Sequence, residues 1–187
     1  MNVAEVVNIF KRIERLSDRL SKKAGEGYRW NYKFPDGLEV TYILKNVRSL
    51  DEIEDEISNA FIWLWNLKDY LKELSKSKGE PYKDIEIFVD DSDYLAVCSD
   101  VANRLKHGIL KKSRSHKFAE LGSLNVNCTQ EHISEIKFTE KEVEFNITKP
   151  NEIQLTISIY DKDGEKIGDG FKFLAGGISE WENIFLI

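Results

Sequence analysis

Apolar residues recur at helical spacing from the start of the chain. Val3, Val6, Val7, Phe10, Ile13, Leu16 and Leu20 fall three or four apart with charged residues between them. This pattern predicts a first helix over residues 2–23, ended by Gly25 and Gly27. A longer stripe follows through Leu50, Ile53, Ile57, Phe61, Leu64, Leu67, Leu71 and Leu74, down to Lys78-Gly79. Ser49 and Glu52 have the spacing of a capping box at its start. Ala60, Trp63, Trp65 and Tyr70 widen its apolar arc past one face, so this helix is expected to lie centrally or under a second subunit. One or two helical turns are expected over 82–89, after Pro81. A third main helix is expected over 92–107, with Leu95, Cys98, Val101, Ala102 and Leu105 on one side and Gly108 at its end.

Beyond Lys117 the period shortens to two. Val143, Phe145 and Ile147 alternate with polar residues, as do Ile153, Leu155, Ile157 and Ile159, and Lys149-Pro150-Asn151 lies between the runs. The two runs read as an antiparallel hairpin, with weaker strands around 124–128 and 133–138. A short strand is expected at Val40, Tyr42 and Leu44. Trp30, in the unperiodic stretch 28–38, is the aromatic that packing explains least. Helical spacing returns at Phe171, Leu174, Ile178, Trp181 and Phe185, where Gly176 and Gly177 are expected to weaken or kink the helix. The expected class is α+β in one composite domain. It comprises a helical bundle over 1–117, an antiparallel β-meander over 118–168, and a C-terminal helix over 169–187 packing back on the bundle.

A chain of 187 residues, 41% hydrophobic and 32% charged, has the balance of an ordinary globular domain. No apolar run approaches a bilayer span, and Met1-Asn2-Val3-Ala4-Glu5 does not read as a secretory signal. Cys98 and Cys128 have no zinc-knuckle or redox spacing, so reduced thiols and a cytoplasmic setting are expected. Cys98 and His107 lie about 13.5 Å apart along one helix, too far to share an ion with His116. Asp161-Lys162-Asp163-Gly164 reads as a tight turn rather than a calcium loop, and Asp90-Asp91-Ser92-Asp93 as a capped helix start. With no phosphate loop, dinucleotide fingerprint or nucleophile elbow, neither metal nor cofactor is expected.

The net charge of −6 speaks against nonspecific nucleic-acid binding by the whole surface. Between Val101 and Ala119, however, there is no acid, while Arg104, Lys106, Lys111, Lys112, Arg114 and Lys117 are basic. Such a stripe can be an electrostatic footprint or simply a solvated face. Within it, Asp100, Asn103 and His107 fall on one side of the predicted helix, away from its apolar side. A histidine beside a carboxylate can move a proton near neutral pH, and a histidine at a helix C-terminus can equally serve only the helix dipole.

The run Val101-Ala102-Asn103-Arg104-Leu105-Lys106-His107-Gly108 resembles the motif of HEPN domains, helical modules of RNA-processing and defence systems. Asn103 matches the polar position of that motif and His107 its histidine, while Ala102 stands where the arginine belongs. The resemblance implies an HEPN-like bundle and a homodimer whose motif helices face each other across a cleft. It also implies, in active members, metal-independent RNA cleavage by the histidine and arginine. The missing arginine removes a group that would stabilise charge on the phosphate. Two readings follow. One is a non-catalytic dimerising or partner-binding module of a bacterial RNA-associated or defence system, its partner RNA or protein. The other is a metal-independent endoribonuclease using His107 and Asn103, with Asp100 beside them and Arg104, Lys111, Lys112 and Arg114 holding RNA.

Overall fold

The helices begin where polar side chains can engage free backbone amides. In the computed structural model, which describes residues 1–185, Asn2 and Glu5 bridge reciprocally at the start of α1 (Val3–Ser21). Helix α2 (Leu50–Lys78) follows Ser49, but Glu52 turns to Arg48, 3.8 Å away. After α3 (Lys83–Asp91), Ser92 caps α4 (Asp93–His107) by accepting the Leu95 amide at 3.2 Å. Gly108, at φ 73°, ends α4 with its N–H on the Arg104 carbonyl. Helix α5 runs Gly170–Phe185, and the last two residues of the expected closing helix, 186 and 187, lie outside the described residues. No described helix is long and apolar enough to cross a membrane.

The strands correct the expected bundle with a single meander. They form two sheets. The first is a mixed four-stranded sheet in the order β1-β2-β5-β4, built from Tyr28–Lys33, Glu39–Lys45, Glu142–Ile147 and Ile133–Phe138. The second is a three-stranded sheet in the order β3-β6-β7, built from Glu120–Asn127, Gln154–Tyr160 and Lys166–Asp169. The segment assigned to the bundle contains a hairpin, β1–β2, in which β2 covers the short strand expected at Val40, Tyr42 and Leu44 and pairs parallel with β5 from Thr41↔Glu142 to Lys45↔Asn146. The runs around Lys149-Pro150-Asn151 do not form a hairpin with each other. Pro150–Glu152 is a 3-10 turn, β5 bonds to β2 and β4, and β6 belongs to the other sheet. Alternation specifies which side chains share a face, but it leaves the partner strand open.

The contacts divide the chain into two compact units. One comprises residues 1–19, 56–123 and 157–187, and the other residues 20–55 and 124–156. In the first, Val6 and Ile13 of α1, Phe61, Leu64 and Leu67 of α2, Val101 of α4, and Leu174 and Trp181 of α5 are buried. Each contributes about 1.5–3 kcal/mol by leaving water. The Trp181 indole N–H donates to the Leu64 carbonyl at 3.1 Å, so the largest buried ring also has its polar atom satisfied. The second unit has a smaller core of Val47, Ile147 and Ile153, joined by half-buried Leu44, Val126 and Phe145.

Candidate functional site

Helix α4 is buried on all sides from Leu95 to Ala102, and this includes Asp100. The helical projection placed Asp100 away from the apolar side, yet its side chain has no exposed surface. The reason lies in the segment after Gly108, which folds back across that face. Asp100 Oδ2 accepts hydrogen bonds from Ser113 Oγ at 2.5 Å and Ser115 Oγ at 2.6 Å, and Oδ1 accepts the Arg114 amide at 2.8 Å. The Ala119 amide donates to Oδ2 at 3.4 Å. Ser113 Oγ in turn accepts the Phe118 amide, and Ser115 Oγ the Lys117 amide. His116 and Phe118 adopt left-handed backbone, φ 62° and 56°, inside this knot. A buried carboxylate is tolerated only when its lone pairs are so engaged.

The tied segment forms one wall of a polar cleft of about 650 Å³, whose lining includes Asp93, Ser99, Asn103, Lys112, Arg114 and His116. Arg114 is held by two carboxylates, Nη1 to Asp90 at 2.6 Å and Nη2 to Glu86 at 2.9 Å, with its guanidinium carbon 5.2 Å from the centre of the Trp65 ring. Glu86 also receives Lys72 at 2.5 Å and has Lys68 at 3.5 Å. Burial alone would raise the Glu86 pKa. The Lys72 hydrogen bond, the Lys68 charge and Arg114 outweigh it and hold the group at about 2. The cleft therefore mixes signs. Lys112 and Arg114 meet Glu86, Asp90 and Asp93, a balance that suits a polar segment with both donors and acceptors better than a bare polyanion.

Of the residues expected to act together, Asn103, Lys112 and Arg114 line this cleft, and Asp100 lies buried beneath the folded-back segment. The others stand apart from it. His107 is exposed at the end of α4, Lys111 is exposed, and Arg104 is ion-paired with Glu120 at the start of β3. Leu105, expected on the core side, is 39% exposed. Lys106 donates to Asn66 Oδ1 at 2.5 Å, and burial lowers its pKa. Ala102, at the arginine position of the motif, is fully buried, where a longer cationic side chain would have no room. His116 and Ser99 are cleft residues that the sequence left unassigned. Ser99 lies between apolar helix positions, and the placement of His116 depends on the return of its segment over Asp100.

Cys98 is buried beside the Phe173 carbonyl, 3.5 Å away, and burial pushes its thiol pKa up. Among the described residues, no group of three or more His, Cys, Asp or Glu is placed to hold a metal ion. No protein family, curated protein or solved structure matches the chain.

Proposed function

We propose that this protein is a non-catalytic, HEPN-related module that works by binding, as a dimer or to a protein partner, within a bacterial RNA-associated or defence system. The observation that carries the reading is the engagement of Asp100. The carboxylate that would orient His107 is buried and committed to Ser113, Ser115 and Arg114 of the folded-back segment. Arg104, the nearest guanidinium in sequence to the motif, is paired with Glu120. His107 thus has neither the acid nor the cation that phosphodiester cleavage would draw on. The mixed-sign cleft lined by Ser99 and Asn103 of α4, away from His107, offers a polar partner several donors and acceptors held in place by the Asp100 knot.

The competing reading, a metal-independent endoribonuclease, is favoured by one feature. Asn103 and His107 stand one helical turn apart on α4, and both reach the surface. Incubation of a mixed cellular RNA pool in chelator with wild type and His107→Ala separates the two, with mass measured by light scattering in parallel. We expect no cleavage by either protein and a mass above that of one chain, alone or with its partner. Cleavage by wild type that disappears in His107→Ala would overturn the binding-module reading.

A further inference from the structure

Trp30 finds its explanation in the second unit, independently of the cleft beside α4. Alternation along β1 places Tyr28, Trp30 and Tyr32 on one face, and the register aligns Trp30 with Tyr42 and Tyr28 with Leu44. The Trp30 ring stacks between two tyrosines. Tyr28 lies 5.6 Å away at 22° and Tyr42 5.2 Å away at 15°. Beside this ladder opens a cavity of about 630 Å³, lined by these three rings together with, among others, Leu44, Phe145 and Cys128.

Among the described residues, no charged side chain lines the cavity. Most of its wall is apolar or aromatic, and the lining side chains that carry a polar atom are Tyr28, Trp30, Tyr42, Asn125 and Cys128. Burial first, then the Asp51 and Glu54 carboxylates, raise the Tyr28 pKa, so the charge felt at this edge of the cavity is negative. Anions are therefore disfavoured. The volume falls in the range of about 300–1,000 Å³ that takes small organic ligands, and a mostly apolar wall with sparse polar handles is the usual composition of such sites. Val47, Ile147 and Ile153 of the same unit are buried, while Tyr42, Leu44, Val126 and Phe145 are half-buried and leave the space beside the ladder open.

We propose that this cavity binds a flat, uncharged, largely apolar aromatic small molecule, which packs against the ladder that Trp30 holds together between Tyr28 and Tyr42. The full chain, titrated with the uncharged planar dye Nile red, should show saturable, blue-shifted emission at one dye per chain. Trp30→Ala should weaken uptake tenfold or more, and Cys128→Trp, which fills the cavity, should remove it. Phe138→Ser should leave it unchanged, because Phe138 is 73% exposed and lies outside the cavity lining. Thermal melts establish that each variant is folded. A readout on wild type alone is independent of the variants: bound dye should slow alkylation of Cys128, while buried Cys98 stays unreacted with or without dye. Absent or unsaturable uptake by wild type, uptake equal to that of wild type in folded Trp30→Ala or Cys128→Trp, a loss in Phe138→Ser instead, or alkylation indifferent to dye would each overturn the site.

Discussion

Asp100 sits with no exposed surface and three hydrogen-bond donors within 2.8 Å, so the segment from Ser113 to Ala119 depends on one carboxylate. Replacing it by alanine would leave two serine hydroxyls and a backbone amide without their acceptor in a buried setting. We expect Asp100→Ala to cost about 3 kcal/mol, seen as a lowered urea midpoint, with amide exchange of 113–119 accelerating more than that of α2. Asp100→Asn keeps one oxygen and should lose less. Glu86 gives a second expectation, one that depends on pH. Its folded pKa of about 2 lies below the unfolded value of about 4.3, so the folded form binds the proton less readily. Its contribution is therefore complete above about pH 4.3 and disappears as pH falls through about 2. Thermal midpoints measured across that window should fall more steeply in wild type than in Glu86→Gln. Neither role is visible in a helical projection, because the donors to Asp100 and the cation Arg114 arrive from residues 13 to 28 positions away.

At the scale of elements, local signals located helices well and pairings poorly. Ser92 and Gly108 delimit α4 as their chemistry suggests, and alternation located strands at 133–138 and 143–147. By intrinsic propensity alone, Gly176 and Gly177 are weak points of α5. The structure gives Gly176 a different role: a Cβ there would lie 2.4–2.6 Å from Tyr94 Cδ1, Cε1 and Cγ, so α5 and α4 approach closely because the side chain is missing. Alanine would gain about 1 kcal/mol in helix propensity but force the Tyr94 ring out of place, an overpacking cost of about 1–3 kcal/mol. We expect Gly176→Ala to lower the thermal midpoint in wild type and to raise it, or leave it unchanged, in a Tyr94→Ala background. A double-mutant cycle by chemical denaturation measures that coupling.

For the molecule as a whole, neither compact unit is a contiguous stretch of chain. The first draws on three segments and the second on two, and α1, α2, β3 and β6 each run across a boundary. Residues 56–123 expressed alone would lack α1, β6, β7 and α5, and with them Val6, Ile13, Leu174 and Trp181. We expect that fragment to show no cooperative melt by circular dichroism, whereas the full chain melts cooperatively. Such threading is the part of the fold that a period-of-two or period-of-3.6 pattern does not encode, because segments distant along the chain select one another by register and burial.

The parallel seam of β2 and β5 also has a consequence in time. Thr41 waits for Glu142, and the Asn46 side chain for Asn146, contacts separated by about a hundred residues. During synthesis the β1–β2 hairpin, with its aromatic ladder, emerges from the ribosome long before the strand that covers its edge has been translated. Until β5 arrives, that edge is a template open to any extended chain nearby. Translation rate and chaperone supply over residues 45–147 should therefore govern the soluble yield of this protein more than its final stability does.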